Sequence, residues 1–364
     1  LLNEKFNPPG EELLHNLSKT ESTVITMMNK HFENWQVEER KHFYRHYVGY
    51  WHHILTKFKP DAVIYPTIPH TVYDFVIYSL AKLLNIKNIM FEQIWIGDRM
   101  IWAYDFQTGF PLLKDKISKN KNENFNSKDL DGDFRKEYEL QNEPGKDATP
   151  AFVKYFKSRF SGKNLISLKL KIILTSIKDR SFLWRVAVFI NKFFGENLVK
   201  EYRLVRVYPD FSKKFVYFPL HYQPERTSSP QGGVFADQLL VVETLSAALP
   251  DGWLIYVKEH PNQWGPRGIN YFSYRFPGYY KKMAALKNVR IVPVNLDSYF
   301  LMEKSQAVVT ITGTAGWEAA ARRKPALIFG YAWYRDCPGI FRITDVDSCR
   351  AALNKIKNGF SVTA

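Results

Sequence analysis

The strongest constraint on this chain is a pattern that recurs three times between Phe215 and Ile343. Each time, a short apolar run of strand type gives way to a polar phrase. Residues 214–218 lead into Leu220-His221-Tyr222-Gln223-Pro224-Glu225-Arg226, and residues 253–257 lead into Lys258-Glu259-His260-Pro261. Residues 307–311 lead into Thr312-Gly313-Thr314-Ala315-Gly316-Trp317-Glu318. Continuous apolar runs of this length suit buried parallel strands. Open α/β sheets bind ligands just beyond the carboxyl ends of such strands. The pattern therefore predicts a parallel sheet with chemistry gathered along one edge.

The third phrase has the clearest mechanics. After the strand, Thr312-Gly313-Thr314 turns the chain, and residues 315–323 carry good helix formers. The first N–H groups of a helix and its dipole attract phosphate. Gly313 and Gly316 would let backbone approach a ligand closely, and Glu318, read as lying in the first turn, would reach a sugar hydroxyl. An ordinary turn with Thr314 as N-cap explains the same residues. In the second phrase, Pro261 holds His260 extended at the strand end. There the imidazole can donate to a phosphate while Lys258 adds positive charge. In the first, Gln223 and Glu225 suit sugar or base hydroxyls, Arg226 is a donor-orienting cation, and residues 227–233 are loop by composition. A helix follows over residues 237–249, with Leu239, Leu240, Val242, Leu245 and Leu249 at helical spacing.

The order Q-P-E, K-E-H-P, T-G-T-x-G-x-E-A and K-P-x-x-x-F-G resembles bacterial capsule and surface polysaccharide biosynthesis proteins, a group that includes the Kdo transferases of capsule assembly. The resemblance covers roughly residues 215–343 and the N-terminal part only loosely. It implies a GT-B glycosyltransferase: two Rossmann-like α/β domains with the donor held mainly by the second, across a cleft. It also implies roles: His260 on the donor phosphate; Thr312, Gly313 and Thr314 lining the nucleotide pocket; Glu318 on the ribose. Several members use CMP-activated acidic sugars such as Kdo, and a His-Pro motif is also typical of CMP-sialic acid transferases. Capsule Kdo transferases carry a Gln followed later by an Asp. Here Gln223 is followed closely by Glu225 and only later by Asp237, which leaves the donor sugar open.

The length of 364 residues fits two domains, and we place them at 1–205 and 206–344. A last helix from Asp345, within 345–364, is expected to pack back on the first domain. Residues 10–58 read as helical and rich in aromatics and histidines. Aromatic packing explains His31, His42, His46, His52 and His53 better than metal binding, since no Cys or paired-carboxylate spacing accompanies them. Residues 61–91 form a β-α-β unit. Its loops place His70, Asp74 and Glu92 near the sheet's carboxyl edge, where an inverting sugar transfer needs a base. Asp74 has a competing role, since a carboxylate in the first turn of its helix gains from the dipole alone. Residues 114–147 are polar and read as a long loop or mobile insertion.

The chain carries net charge +15, which points to anionic partners. No helix-turn-helix, zinc-finger or RNA-recognition signature is visible, so nucleic acid is not expected. From 149 to 205 the sequence is basic and amphipathic, with Phe152, Phe156, Phe160, Leu165, Leu168, Ile172, Leu183, Val186 and Phe189 among Lys and Arg. That stretch fits either an anionic bilayer surface or helices packed on the first sheet. Tyr331, Trp333 and Tyr334 suit stacking on a base or sugar, or closing the core. Two cysteines, Cys337 and Cys349, make no disulfide framework, and no run is long and apolar enough to span a bilayer. The expectation is a cytoplasmic enzyme, peripheral on the inner membrane, that transfers a sugar from a nucleotide donor to a surface glycan or glycolipid without metal or cofactor. Two alternatives remain: a polyol-phosphate transferase of the teichoic-acid type, and a non-catalytic membrane-associated assembly protein. The chain does not begin with Met and no strand precedes Leu1, so further residues before it are expected.

Overall fold

The structure, a computed structural model, describes residues 4–32, 35–94, 96–97, 99–120, 123, 126–142, 158–159, 162–178, 180–184, 186–187, 190, 197–223, 225–264 and 274–362. Helices α1 (Glu11–Asn16), α2 (Ser18–Met28) and α3 (Val37–Phe58) open the chain. A capping box between Gln36 and Glu39 starts α3, and Lys59, in a left-handed conformation, ends it. Tyr44, Val48 and Leu55 face the core. Of the histidines, His46 packs edge-on to Phe6 at 4.9 Å, and His53 pairs with Glu4 at 3.5 Å.

Strand β1 (Ala62–Tyr65), helix α4 (Val72–Leu83) and strand β2 (Lys87–Gln93) form the expected parallel unit. Strand β3 (Met100–Ala103) adds antiparallel to β2, giving a sheet of three strands among the described residues.

The second sheet is larger. Strands β4 (Phe215–Pro219), β5 (Leu254–Lys258), β6 (Val289–Ile291), β7 (Ala307–Thr310), β8 (Ala326–Ile328) and β9 (Ile340–Arg342) lie side by side in the order β6-β5-β4-β7-β8-β9, every neighbouring pair parallel. Numbered within the sheet this is 3-2-1-4-5-6, the doubly wound order whose direction reverses between its first and fourth strands. Strands β4 to β8 are buried nearly throughout, as β7 shows with all four residues inside, while the edge strand β9 is not. Helix α9 (Gln238–Ala248), capped by Asp237 accepting the Leu239 N–H at 3.0 Å, covers one face. Helices α11 (Ser298–Lys304) and α12 (Thr314–Ala321) cover the other; α10 (Tyr279–Ala284) lies beside α9. The α/β expectation is met; among the described residues only the second sheet shows the doubly wound order, the first being smaller and mixed.

Three segments differ from expectation. Residues 114–147 are not structureless over their described part. Helix α5 (Pro111–Lys119) starts with a proline in its first turn, a turn at Ser127–Asp129 follows, and α6 (Gly132–Asn142) comes next. Contacts to other elements hold this segment: Arg99 binds Asp131 at 2.8 Å and Asp133 at 3.0 Å, and Asn142 donates to the Ala321 carbonyl at 3.0 Å. Residues 143–147 lie outside the described residues.

The basic stretch contains helices α7 (Gly162–Lys178) and α8 (Leu198–Val205), while Phe152, Phe156, Phe160 and Phe189 lie outside the described residues. Leu198 and Tyr202 of α8 enter the core of the second sheet. This helix, placed before residue 205 with the first domain, therefore packs on the second.

Helix α13 (Val346–Lys357) does not pack back on the first unit. Cys349, Ala352, Leu353 and Ile356 sit in the same core as α9, because their spacing makes one apolar stripe that matches that helix. Leu353 is fully buried, so Leu353→Ala should destabilise the second unit by about 2–5 kcal/mol in a denaturant titration. A loss well below that would place α13 outside the core.

Candidate functional site

The register fixes which polar groups meet. Pro219 pairs with Lys258, and Tyr217 pairs with Val308. The phrases after β5, β4 and β7 therefore emerge level with one another, where the sheet order reverses.

His221 is the hub of that edge. Its Nε2 accepts the Ile311 N–H at 3.1 Å and lies 2.8 Å from Thr310 Oγ1, which itself accepts the Gly313 N–H at 3.1 Å. Accepting from a backbone N–H requires an unprotonated Nε2, so the ring is neutral with its proton on Nδ1. Burial, then the charges of His260 and Arg275, push His221 down to about 3. A Cβ on Gly313 would sit 3.1 Å from the His221 ring, so this glycine makes room for the imidazole. Gly316 has a protein partner too: a Cβ there would lie 2.5 Å from the hydroxyl of Tyr334, which donates to the Gly313 carbonyl. That close approach explains Gly316 better than ligand access.

His260 lies beside His221 across the strand ends. Its Nδ1 accepts the Asn262 N–H at 3.2 Å, which leaves the proton on Nε2. Its ring centroid is 5.6 Å from that of Tyr222. Burial is the main cause that pushes it down to about 4; near neutral pH it is an uncharged donor. Pro261, at the start of the following turn, is exposed.

The remaining expected residues divide. Thr314 is exposed at the first position of α12, whose N-cap is Gly313 rather than Thr314. Glu318 falls in the second turn, not the first, one turn along from Thr314. Burial raises its carboxyl above the ordinary range. The Thr312 hydroxyl donates to the Thr227 carbonyl, tying the phosphate-type turn to the loop after β4. Glu225 is exposed, and its carboxylate accepts from Thr227 at 3.2 Å.

Two expected ligand contacts are used inside the protein. Lys258 is 4% exposed, and its Nζ donates to the Leu296 carbonyl at 2.7 Å and to Ser298. It pins the chain after β6, and its charge is not turned to the edge. Gln223 is 1% exposed: its amide donates to the Ala236 carbonyl at 2.9 Å, and its oxygen accepts from Gln238 and Arg275. Three of its four hydrogen-bonding positions are thus used within the core.

Arg226 crosses to the first unit. It donates to Glu92 at 3.0 Å and to Thr67, residues at the carboxyl ends of β2 and β1. Glu92 is 5% exposed, and its second oxygen, Oε2, is buried without a partner among the described residues. Burial pushes this carboxyl up to about 7 against the pull of Arg226. Asp74 caps α4 by accepting the Thr71 N–H at 2.7 Å, the structural use of a first-turn carboxylate. His70 is turned to the Ile68 carbonyl at 2.8 Å.

His221, Glu259 and Arg275 were missed in the sequence. His221 stands inside the first phrase, yet nothing in its neighbours marks it above Gln223. Glu259 receives Arg275 Nε at 2.9 Å and the Tyr280 hydroxyl at 2.5 Å, both charged groups fully buried. Spacing gives no hint of a partner 16 residues away.

A cavity of about 960 Å³ lies between the units, walled by α2, the loop at 229–237 and the ends of β8 and β9. Lys19, Thr26, Phe106, Tyr274, Tyr331 and Arg342 contribute to it; His260 and Thr314 do not. Of the aromatics after β8, Tyr331 lines this cavity, while Tyr334 is fully buried against Gly316 and Gly313.

Residues 224–358 match the family model described as capsule polysaccharide biosynthesis protein. No curated protein matches the chain. Among solved structures, the β-Kdo 2,7-transferase KpsC of Thermosulfurimonas dismutans is 18% identical over 43% of this chain and 49% of that one, with a TM-score of 0.30. The α,α-trehalose 6-phosphate synthase of Burkholderia multivorans is 12% identical over 45% and 37%, at 0.30. The UDP-GlcNAc 2-epimerase of Neisseria meningitidis, bound to UDP-GlcNAc, is 14% identical over 95% and 81%, at 0.33. The chain thus spans about half the length of the first of these and less of the second; likeness so slight carries no functional argument. What the comparison adds is local: residues 224–358 match the capsule polysaccharide biosynthesis family, the group that the motif order resembles.

Proposed function

We propose that the protein is a glycosyltransferase that moves a sugar from a nucleotide donor to a surface glycan or glycolipid, with a CMP-activated acidic sugar such as Kdo as the favoured donor. The observation that carries this reading is the gathering of His221, His260 and the Thr312-Gly313-Thr314 turn at the reversal point of a doubly wound sheet. That is the usual ligand position in such sheets, and it falls within or beside the family match. The alternative, a polyol-phosphate transferase of the teichoic-acid type, would consume CDP-glycerol or CDP-ribitol, and hydrolysis of those donors instead of a CMP-activated sugar separates the two.

In this mechanism, the donor phosphate lies against the N-terminus of α12, where N–H groups and the dipole offset its charge. Neutral His260 donates from Nε2 to the same phosphate. Glu225 and Arg226, on the loop above, orient the donor. The acceptor hydroxyl attacks the anomeric carbon as the bond to the phosphate oxygen breaks; the electron pair leaves with the nucleotide. Glu92 Oε2 takes the hydroxyl proton; because the attack is a single displacement from the face opposite the phosphate, the configuration inverts. Positive ends of dipoles and fixed donors take the part a metal plays elsewhere.

The donor assignment is tested by thermal shift with CMP, CDP, UDP and GDP. CMP should raise the unfolding midpoint most, since ligand at ~100 Kd adds about 2.7 kcal/mol. Indifference to all four nucleotides would remove the donor site. His260→Ala should lower kcat about 10²–10³-fold at an unchanged midpoint without ligand; near-normal turnover would exclude His260 from the site.

Glu92 gives a pH prediction. A base must be deprotonated to act, and this carboxyl is pushed up to about 7. The rate should therefore fall as pH drops through 7 and level off above it. Glu92→Gln should cost about 10²–10⁴-fold and abolish that limb. An unchanged pH profile in the variant would assign the base elsewhere.

A further inference from the structure

Helix α7 is 17 residues long, yet its only buried side chain among the described residues is Ser176. Its sequence, GKNLISLKLKIILTSIK, contains four lysines and no acidic residue. The large side chains it exposes are Ile166, Leu170, Ile172, Ile173, Leu174 and Ile177, from 41% to 67% exposed. Residues 166, 170, 173, 174 and 177 are spaced i, i+4, i+7, i+8 and i+11, which places them on one face of a helix. By the same turn angle Lys169 borders that face on one side, and Lys171 and Lys178 on the other. Just beyond, Leu183 is 80% and Trp184 69% exposed.

A monomeric protein seldom leaves a continuous aliphatic face to water. The occupant must be apolar and weakly structured where it meets the stripe, and anionic where it meets the lysines. Aliphatic residues without hydrogen-bonding groups, bordered by lysines and followed by a tryptophan, match the boundary between acyl chains and anionic headgroups. Among the described residues, no helix is long and apolar enough to cross a membrane, so this one would lie in the plane of the surface.

We infer that α7 docks the protein on an anionic lipid bilayer, with Leu170, Ile173, Leu174 and Ile177 inserted and Lys169, Lys171 and Lys178 among the headgroups. The inference does not rest on the donor assignment, since it concerns a different element and a different ligand.

Flotation of the full chain with phosphatidylcholine vesicles, with and without phosphatidylglycerol, tests it. Binding should require phosphatidylglycerol and weaken as salt is raised. The pair Lys169→Ala and Lys171→Ala should weaken it roughly 25-fold, about five-fold per lysine. The pair Leu170→Glu and Ile173→Glu should abolish it. Both pairs are exposed side chains, so circular dichroism and the nucleotide-induced thermal shift should be unchanged. Failure to float with anionic vesicles, or equal binding by the Leu170→Glu, Ile173→Glu variant, overturns the inference. So does a lipid-free dimer, seen by light scattering, that this variant abolishes; the stripe would then be a contact between two copies of the chain.

Discussion

The buried ion pair between Arg275 and Glu259 is the constraint on which the second unit's functional edge depends. Neither group touches water. The guanidinium also reaches the carbonyl of His221 at 3.0 Å and the side-chain oxygen of Gln223 at 2.5 Å. Glu259 in turn accepts from the His260 backbone N–H at 2.7 Å and from Tyr280. One cation thus positions the segments after β4 and β5 together, by fixing their backbones. Removing one member of such a pair typically costs 3–5 kcal/mol, because the other charge stays buried and unpaired. His221 then carries the same order one strand further, through Thr310 and Ile311 to the turn that starts α12.

Much of this was legible in the sequence because it is periodic. Apolar runs of strand length, separated by helical spacing, gave the parallel sheet and α9. Strand ends gave the places where polar groups collect, and His260 and the turn at 312–314 stand there. What the sequence does not display is which polar residues saturate one another. Gln223 and Lys258 have the composition of ligand-binding residues, yet both are consumed by the core. Arg275 lies beyond the second phrase, with no motif around it, and fixes two of the phrases. A partner distant in sequence leaves no trace in spacing.

The glycines make the same point. Gly313 and Gly316 sit where a phosphate-binding turn wants small residues. The space they leave is taken by His221 and Tyr334. The turn keeps its shape because side chains from the loop after β4 and from the segment after β8 fill it. The helix terminus is thereby fixed in place before any ligand arrives, the condition under which fixed dipoles act without reorganising. Residues 114–142 were misread for a different reason. Their helices carry few apolar side chains, and contacts with Arg99, Ala321 and Arg322 hold them.

Arg226 reaches from the second unit to the ends of β1 and β2, and Glu92 gives it one oxygen and keeps the other unshared. The same carboxylate is a fastener between the halves and, in the proposed mechanism, also the proton acceptor. In that mechanism, a proton taken by Glu92 would weaken its hold on the guanidinium and leave the halves freer to part. Loosening of the cleft would then follow chemistry rather than precede it, and the spent nucleotide would leave through an opening that the reaction itself had unlocked.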